Sequence, residues 1–317
     1  MTPPTRRPVV IDCDPGVDDA IALLLAFASP ELDVRGVTTV AGNVGLDRAT
    51  RNAGHVLDLA GAPTGLPLVA GLAGPADGSP RVPDEPMHGP GGLGGLPVPA
   101  APRGPVPGHA VDWLAERALA EPGVLTLVAL GPLSNVAALF DRAPEAAAAL
   151  REIVVMGGAA RAQGNVTPAA EFNFHADPEA AHRVLTSGAT VRVVGLDVTR
   201  AALFPRAAAE RLAALPGAAG VAGALLCGFA ARYEERYGVA AVPVHDAVAV
   251  AAVTHPGLLG WESGTAAVEC AGELTRGALV ADLLRPERSR DVDIALRVDA
   301  DGFTSLLAGR LAGYGGG

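Results

Sequence analysis

The strongest indication of the fold is the stretch VVIDCDPGVDDA, which occupies residues 9–20. Its first three residues are apolar and favour a β-strand, and the Pro-Gly pair at 15–16 marks a tight turn. An apolar pattern resumes at 20–26. The stretch therefore predicts a buried strand, a tight turn and the start of a helix.

Four carboxylates fall within eight positions of this stretch, at Asp12, Asp14, Asp18 and Asp19. Asp12 and Asp14 project to the same side of an extended chain, and the other two fall where a helix start favours negative charge. These acids would raise each other's pKa values unless a positive charge lay among them, and the stretch contains no Lys or Arg. The pattern favours a hard divalent cation, Ca²⁺ or Mg²⁺. The alternative is a helix cap with a solvated acidic loop.

Length and composition indicate a globular chain with a large core. The 317 residues suffice for one large α/β domain or two small ones, half of them are hydrophobic, and the mean hydropathy is +0.32. A net charge of −10 and an aromatic share of 4% do not fit a nucleic-acid-binding protein, which usually carries a basic surface and stacking aromatics. We therefore expect no nucleic-acid partner.

Cysteine usage favours the cytoplasm. The three cysteines, Cys13, Cys227 and Cys270, are odd in number and widely spaced, which fits reduced thiols rather than a disulfide framework. Residues 1–8 have no apolar segment of the signal-peptide type, so we expect no such peptide. The longest apolar run, residues 20–28, is too short for a membrane span, and we expect no membrane partner.

Strand and helix patterns alternate along most of the chain. Further strands are predicted at 33–40, 67–70, 124–130, 153–156 and 190–196, and helices at 47–60, 110–120, 178–186, 206–237 and 247–254. The tail at 265–298 predicts two or three strands before a last helix. This alternation indicates a Rossmann-like α/β fold, with a mostly parallel central sheet, helices on both faces and a single domain over residues 1–317.

Polar residues follow several of these strands, where ligands bind in such sheets. They are Asp14, Asn43, the loop from Met156 to Asn173, and the pair His245-Asp246. Because the C-terminal ends of parallel strands meet at one edge of a sheet, we expect the active site there.

Some of these positions have a second interpretation from local sequence. Asp246 is either an acidic ligand or the N-cap of the helix that follows it. Glu171, Asn173 and Asn165 suit a polyhydroxyl ligand, or they belong to a polar surface loop. His245 is either a buried structural histidine or a proton donor near neutral pH.

The stretch from Gly71 to Gly108 is dense in glycine and proline and predicts an irregular segment. Long segments of this kind in compact domains are usually functional or disordered. The stretch places His88 among glycines. A lone histidine is more often structural than part of a site, so His88 becomes a candidate only together with the other motifs.

Together, these motifs resemble the inosine–uridine-preferring nucleoside hydrolases over about residues 8–311. The family signature DxDPGxDDA matches residues 12–20, and its AGN and HGxxGL motifs match 41–43 and 88–93. The motifs GPLxN, MGG and AEFN match residues 131–135, 156–158 and 170–173, and the C-terminal His-Asp pair matches 245–246. All matches occur in the family's order along the chain.

The resemblance implies a Ca²⁺-dependent enzyme that hydrolyses the N-glycosidic bond of ribonucleosides to ribose and free base. Asp14 would be both a calcium ligand and the base that takes a proton from water, with Asn43 near this nucleophile. His245 matches the position of the leaving-group acid. The implied metal ligands are Asp14, Asp19, Asp246 and the backbone carbonyl of Leu130. Family members often have Thr at this last position, but a carbonyl ligand does not depend on the side chain.

The resemblance also implies how the nucleoside is bound. Asp18 would bind ribose hydroxyls, and Asn165 and Glu171 would hold the 5′-hydroxyl. A helical region that contributes base-side groups in relatives contains Tyr233 and Tyr237 here. The implied substrate-binding residues are Asp18, His88, Met156, Asn165, Glu171, Phe172, Asn173 and Tyr233.

Specificity, assembly and cellular role are further implications. Purine-specific relatives have an aromatic residue at the position of His245, so this histidine favours broad or pyrimidine-accepting specificity. Relatives are commonly homodimers or homotetramers, and we expect the same here. A cytoplasmic role in purine and pyrimidine salvage follows from the reaction.

Two other classes of protein start from similar features. A haloacid-dehalogenase-like phosphohydrolase also begins with a strand ending in DxD and uses Mg²⁺ with an aspartyl nucleophile. However, Pro-Gly follows Asp14, and no clear matching Lys or late acidic pair is found. A non-catalytic calcium- or sugar-binding protein would keep the ligands but would not need Asp14 beside a water molecule.

Overall fold

The structure is a computed structural model that describes residues 6–75, 78, 85–98, 103–285 and 292–316. Of the irregular stretch predicted from Gly71 to Gly108, residues 76–77, 79–84 and 99–102 lie outside the described residues. Its described part contains a short helix, Glu85–His88, and a 3₁₀ turn, Pro90–Gly92, neither of which the sequence pattern predicted.

Strands and helices alternate through the described residues. The strands are β1 (Arg7–Cys13), β2 (Leu32–Thr39), β3 (Leu68–Ala70), β4 (Thr126–Ala129), β5 (Glu152–Met156), β6 (Val191–Val194), β7 (Leu203–Pro205), β8 (Ala241–Pro243), β9 (Leu259–Val268), β10 (Leu279–Asp282) and β11 (Val292–Val298). The α-helices are α1 (Val17–Phe27), α2 (Leu46–Leu59), α3 (Glu85–His88), α4 (Ala110–Ala120), α5 (Ser134–Arg142), α6 (Pro144–Ala148), α7 (Phe172–Ala176), α8 (Pro178–Leu185), α9 (Leu196–Thr199), α10 (Arg206–Ala213), α11 (Gly217–Tyr237), α12 (His245–Thr254) and α13 (Ala300–Ala312). A membrane-spanning helix is absent from the described part of the chain.

Nine of these strands form one sheet, in the order β10-β9-β11-β6-β5-β4-β1-β2-β3. All neighbouring pairs from β3 to β11 are parallel, whereas β9 pairs antiparallel with both β11 and β10. Within the described sheet, therefore, β9 alone runs against the other strands. The predicted mostly parallel sheet is confirmed. A separate antiparallel pair is formed by β7 and β8.

The sheet is covered by helices on both faces, as predicted. Side chains of β1 alternate between the two layers, with Val9 and Ile11 facing one and Val10 facing the other. The first layer contains α1, α2 and α10–α13, and the second contains α4, α5, α6 and α8. The apolar run of β1 is buried because both of its faces are covered.

The segment predicted as one helix at 206–237 is instead two helices, α10 and α11, which are separated at residues 214–216. Leu215 precedes Pro216, and proline disfavours helical backbone at the residue before it. Proline also lacks the N–H that would continue the first helix. The Leu-Pro pair was therefore a local signal for the break.

The helix that carries Asp246 begins earlier than predicted, at His245, with Val244 as its N-cap. Asp246 thus lies inside the first turn of α12, and the interpretation of this residue as an N-cap is wrong. The strand predicted at 190–196 is also shorter than expected, because α9 begins at Leu196.

Candidate active site

The C-terminal ends of the central strands carry a group of buried polar side chains. Strand order runs outward from β1 to β2 and β3 on one side, and from β4 to β5 and β6 on the other. The order therefore reverses between β1 and β4, and open α/β sheets bind their ligands at such a reversal. Asp14 follows β1 and Leu130 follows β4, so both lie at this point.

Backbone groups closely surround the carboxylate of Asp14. Its Oδ2 accepts a hydrogen bond of 2.6 Å from the backbone N–H of Asn43. Gly42 and Gly131 approach so closely that a Cβ on them would lie 2.0 Å from Oδ2 and 2.6 Å from Oδ1, respectively. The Oδ1 atom has no hydrogen-bond partner among the described residues. The site thus fixes one carboxylate oxygen and leaves the other for a ligand.

Asp19 combines the two roles that the sequence left open. Its carboxylate accepts hydrogen bonds from the backbone N–H groups of Gly16 at 3.0 Å and Asp14 at 3.1 Å, and so caps the start of α1. It also accepts from Nδ2 of Asn43 at 3.1 Å. The charge of the same carboxylate also contributes to raising the pKa values of Asp14 and Asp246. The helix-capping acid is therefore also a member of the carboxylate cluster.

Carboxylate oxygens of Asp18, Asp19 and Asp246 all lie within 4.8 Å of one another, and the three residues are buried. Burial raises the pKa of Asp246 well above its ordinary value, and the neighbouring Asp18, Asp19 and Asp14 raise it further. Burial followed by the charge of Asp19 likewise raises the pKa of Asp14. The fully charged cluster is therefore unfavourable unless a cation neutralises it.

The donor atoms of the cluster fit a hard divalent cation. The three grouped residues all offer carboxylate oxygens. Asp14, a predicted metal ligand, is not in this group of three, but its carboxylate interacts with the charges of Asp19 and Asp18, and its Oδ1 has no hydrogen-bond partner among the described residues. Oxygen donors of this kind suit Ca²⁺ or Mg²⁺ better than zinc or copper. The group includes Asp18, which the resemblance assigned to ribose rather than to a metal.

Asp12, the first acid of the opening stretch, has a different role. Its Oδ1 accepts hydrogen bonds from Oγ1 of Thr38 at 2.5 Å and Nδ2 of Asn135 at 2.8 Å. The same amide nitrogen donates to the carbonyl of Thr39 at 3.0 Å. Asp12 therefore links the ends of β1 and β2 to the start of α5 and has a structural role next to the site.

A cavity of about 240 Å³ adjoins the cluster, and most of the predicted site residues line it. They are Asp18, Asn43, His88, Leu130, Met156, Asn165, Glu171, Phe172, Asn173, His245 and Asp246. Asp14 and Asp19 are not among the lining residues, but both are hydrogen-bonded to Asn43, which is. One edge of the sheet thus assembles groups from distant parts of the chain.

Tyr233 is an exception, because it does not line the cavity although it was predicted to bind substrate. Its ring packs against that of Tyr237, with 4.6 Å between the centroids, and Tyr237 is the one that lines the cavity. The two residues are one helical turn apart on α11. The resemblance therefore indicated the helix that borders the cavity, and of its two tyrosines the structure places Tyr237 in the lining.

Sequence reasoning missed four other lining residues, Met87, Val166, Phe229 and Arg236. Phe229 and Arg236 belong to the alanine-rich α11, whose pattern does not show which part of the helix reaches the site. Met87 directly precedes His88 in the HGxxGL region, and this proximity was a usable signal. For Val166, the neighbouring Asn165 was the corresponding signal.

Asn173 holds the ends of β4 and β5 together. Its Nδ2 donates to the carbonyl of Leu130 at 2.7 Å and to that of Met156 at 3.1 Å. The amide nitrogen is thus occupied by the backbone. This pairing fixes the side chain at the cavity wall and also fixes the carbonyl that the resemblance assigned to a metal.

Glu171 caps α7, since its carboxylate accepts hydrogen bonds from the backbone N–H groups of Asn173 at 2.9 Å, Gly158 at 2.9 Å and Phe174 at 3.2 Å. Burial nevertheless raises its pKa to about 7. In contrast, the buried Oδ1 of Asn165 has no hydrogen-bond partner among the residues that the structure describes. Asn165 therefore retains an unused acceptor beside the cavity.

His88 is a structural residue and also part of the cavity wall. Its Nδ1 accepts a hydrogen bond of 3.1 Å from the backbone N–H of Val17 and lies 3.6 Å from Oδ1 of Asp18. Its ring packs against Phe229, with 5.4 Å between the centroids. Because Nδ1 accepts from an N–H group, the neutral ring carries its proton on Nε2.

His245 lines the cavity, and its Nδ1 lies 2.7 Å from Oγ1 of Thr199. Burial, with smaller contributions from Arg200 and His88, lowers the pKa of His245 to about 3. The imidazole is therefore neutral near neutral pH and carries one N–H rather than two. It can donate one hydrogen bond without holding an additional proton.

These features define a class of protein: an α/β enzyme in which buried acids, arranged to hold a cation, border a polar ligand cavity. Comparison with known proteins gives the family. The family model described as inosine-uridine preferring nucleoside hydrolase matches residues 9–305. The pyrimidine-specific ribonucleoside hydrolase RihA of Salmonella arizonae is 39% identical over 311 residues, which cover 97% of this chain and 99% of that protein. RihA of Photobacterium profundum is 38% identical over 311 residues, with the same coverage of 97% and 99%.

Solved structures agree with this result. The plant nucleoside hydrolase PpNRh1 superposes with a TM-score of 0.90 at 34% identity, covering 97% of this chain and 99% of that one. The purine-preferring ribonucleoside hydrolase from Gardnerella vaginalis has a TM-score of 0.91 at 30% identity, covering 98% and 99%.

The chain belongs to the inosine–uridine preferring nucleoside hydrolase family. It is an N-glycosyl hydrolase that acts on ribonucleosides, as the resemblance of its motifs implied. Neither the phosphohydrolase alternative nor the non-catalytic alternative is supported.

Proposed function

We propose that the protein hydrolyses the N-glycosidic bond of purine and pyrimidine ribonucleosides, such as inosine or uridine, to ribose and free base, with Ca²⁺ as its cofactor. The observation that carries this proposal is the buried group of Asp18, Asp19 and Asp246, with Asp14 in electrostatic contact with it, beside a polar cavity. A chain with this cluster is suited to holding a cation and a sugar side by side.

The proposed Ca²⁺ ligands are Asp14, Asp19, Asp246 and the carbonyl of Leu130. When bound, Ca²⁺ would neutralise the carboxylates, bind ribose hydroxyls and lower the pKa of a water molecule. Two observations support this assignment: carboxylate oxygens of Asp19 and Asp246 lie within 4.8 Å of one another, and Oδ1 of Asp14 has no hydrogen-bond partner in the described part of the chain.

Asp14 is the proposed general base. Its Oδ2 is held by the backbone of Asn43, so Oδ1 is the atom that would take a proton from water. The oxygen of that water attacks C1′ while the bond from C1′ to the nucleobase nitrogen breaks. The electron pair of this bond leaves with the base.

The acidic end of the cavity, formed by Asp18, Asn43, Asn173 and Asp246, is the proposed binding site of the ribose. Cleavage of a glycosidic bond builds positive charge on the sugar ring, and a nearby carboxylate stabilises that charge. Asp18 is proposed to bind ribose hydroxyls, with Asn43 and Asn173 close to them. The 5′-hydroxyl is proposed to bind Asn165 and Glu171, and Met156 and Phe172 are proposed to contact the nucleoside.

The remaining lining residues are proposed to contact the nucleobase. His245 would contact the base as the leaving group, and His88 would lie beside the base. We infer that pyrimidine ribonucleosides are accepted. Two relatives similar to this chain are named as pyrimidine-specific hydrolases. A histidine at position 245, rather than an aromatic residue for stacking on a purine, agrees with this preference.

The remaining proposals rest on the family resemblance. The chain is proposed to form a single nucleoside hydrolase domain over residues 1–317 and to assemble as a homodimer or homotetramer. Its proposed place is the cytoplasm, where it would serve the salvage of purine and pyrimidine bases. Neither a nucleic acid nor a membrane is proposed as a partner.

The test is hydrolysis of uridine, cytidine, inosine and adenosine by the purified protein, followed as release of free base and of reducing sugar. We expect equal amounts of ribose and base, no hydrolysis of p-nitrophenyl phosphate, loss of activity after chelation and recovery on addition of Ca²⁺. If Ca²⁺-loaded, folded protein leaves all four nucleosides intact, the proposed function is wrong. Recovery with Mg²⁺ but not Ca²⁺ would overturn only the choice of cation.

A further inference from the structure

A buried hydroxyl lies behind the histidine of the cavity. Thr199, the last residue of α9, has no exposed surface, and its Oγ1 lies 2.7 Å from Nδ1 of His245. Within the described chain, this contact is the one hydrogen bond that the Thr199 side chain makes. Because Nδ1 is paired with Thr199 and His245 lines the cavity, Nε2 is the ring nitrogen that remains available to a ligand.

The hydroxyl determines which nitrogen of His245 carries the proton. If Nδ1 carried it, Nδ1 would donate to the hydroxyl oxygen, and the O–H group of Thr199 would remain buried without an acceptor. A buried donor without a partner is unfavourable. If Nε2 carries the proton instead, the hydroxyl donates to Nδ1 and both groups are satisfied.

We propose that Thr199 is a positioning residue, which holds His245 with Nδ1 toward the hydroxyl and with an Nε2–H that donates to the departing nucleobase. This inference rests on the proposed function. As the bond from C1′ breaks, its electron pair stays on the nucleobase, and the Nε2–H hydrogen bond stabilises the negative charge that develops there. His245 keeps its proton, Asp14 holds the proton lost by water, and the free base takes a proton from solvent.

The residues on either side of Thr199 along the chain, Asp197 and Arg200, are hydrogen-bonded to the backbone of residues 160–164, in the loop that leads to Asn165. The carboxylate of Asp197 accepts hydrogen bonds from three consecutive backbone N–H groups, at residues 160–162, with lengths of 2.8, 2.7 and 2.9 Å. The guanidinium of Arg200 donates to the carbonyls of residues 163 and 164 at 2.7 and 2.8 Å. Thr199 therefore lies on a rigid support, as a group that positions a ring must.

The tautomer can be measured without reference to activity. Protein labelled with ¹⁵N-histidine gives a spectrum that correlates the ring nitrogens with the ring C–H groups, and a His245→Gln variant identifies the signals of His245. We expect a protonated Nε2 and an unprotonated Nδ1 in the wild type and in Thr199→Ser. In Thr199→Val we expect the Nδ1–H form to become populated. A protonated Nδ1 in the wild type would overturn the inference.

Kinetics test whether the tautomer matters for the leaving group. The base that leaves uridine needs a hydrogen bond or a proton to stabilise its negative charge. In contrast, p-nitrophenyl β-ribofuranoside releases a p-nitrophenolate that is stable without either. For Thr199→Val we expect kcat on uridine to fall roughly 10- to 100-fold, KM to change little, and activity on the phenyl riboside to stay within about twofold. Thr199→Ser should restore most of the activity on uridine.

Thr50→Val is the matched control, because it removes a buried hydroxyl that pairs with Thr39 at 2.7 Å and does not contact His245. It should leave the ratio of activities on uridine and the phenyl riboside unchanged. Equal losses on both substrates in Thr199→Val, or no loss on uridine, would show that Thr199 does not act through the leaving group. If the wild type hydrolyses no nucleoside, the proposed function fails, while the ¹⁵N spectrum still decides the tautomer.

Discussion

The two ends of the cavity differ in how they are built. The acidic end is formed by Asp18, Asn43, Asn173 and Asp246, and Asp14 adjoins it through its hydrogen bond with Asn43. Asp18, Asn173 and Asp246 lie at the starts of α1, α7 and α12, and Asn43 lies in the turn after β2. They are buried and lie among groups that are hydrogen-bonded to the backbone. The α11 end, formed by Phe229, Arg236 and Tyr237, comes from one helix at the side of the sheet, and Tyr237 is 46% exposed.

In the proposed function, this difference separates the residues that carry out the reaction from those that select the nucleobase. A change at the acidic end disturbs the junction of several strands, whereas a change at the α11 end alters one helix surface. Relatives with the same fold carry names that specify different bases, a pyrimidine-specific RihA and a purine-preferring enzyme. In the proposed function, the acidic end supplies the reacting groups and the α11 end contacts the base.

The largest effect is expected from Asp14→Asn at the acidic end. The amide removes the proposed base but preserves the shape of the side chain, so kcat on uridine should fall by about 10²- to 10⁴-fold while the protein stays folded. The measurements are initial rates and thermal unfolding. Asp33→Asn, a change of a partly exposed acid in β2 that pairs with Arg35, is the control and should leave the rate unchanged. Activity of Asp14→Asn close to that of the wild type would contradict the assignment of the base.

Gly42→Ala should have the next largest effect, because its Cβ would lie 2.0 Å from Oδ2 of Asp14 and would displace the carboxylate. A displacement of this kind lowers kcat by roughly 10- to 100-fold. Gly45→Ala, where a Cβ meets nothing within 4 Å, is the matched control and should be close to neutral. Equal rates for the two variants would show that the tight packing around Asp14 does not matter for its function.

A smaller effect concerns stability and pH. Burial raises the pKa of Glu171 from 4.5 to about 7, so the folded protein binds this proton more strongly than the unfolded chain does. The resulting stabilisation is fully present below pH 4.5 and is lost as the pH rises through about 7. We expect this loss to be roughly 3 kcal/mol in the free energy of unfolding.

Urea denaturation at a series of pH values, with chelator present, measures this loss. Glu171→Gln should lack this part of the slope of stability against pH, whatever its absolute stability. Comparison of slopes cancels the contributions of other titrating groups. Identical slopes in the two proteins would mean that the Glu171 carboxyl titrates alike in the folded and unfolded states.

The smallest effect is expected at the α11 end. Tyr237→Ala removes a lining ring but leaves the acidic cluster intact, so KM should change by about two- to tenfold with little change in kcat. The size of the change should differ between uridine and inosine. Tyr233→Ala, one turn away and outside the cavity lining, should change KM less. A larger effect for Tyr233 would show that the wrong tyrosine has been placed at the base.

The acidic end could be predicted from sequence because its signals are local. Asp14 and Asn43 each follow an apolar run that reads as a strand, and parallel strands bring such positions to one edge. Asp246 was found in the same way, although its place inside α12 rather than at the cap was not predicted. The family motifs then joined these positions into one site.

The rest depends on contacts that no local pattern encodes. Phe229 and Arg236 lie in an alanine-rich helix, and only the packing of α11 against the core decides which side chains reach the cavity. Thr199 follows a predicted strand in an apolar context, and its hydroxyl acquires a role only through a histidine 46 residues away. The reversed direction of β9 likewise follows from its partners and not from its own residues.

Four acids buried side by side also affect how long the protein persists in a cell. Their mutual repulsion favours the unfolded chain whenever the site lacks its counter-ion, and proteases act on that chain. The supply of the ion would then govern turnover as well as catalysis. Cells with little of the ion would degrade the ion-free protein faster, so the abundance of the protein would follow the fraction of it that is loaded with the ion.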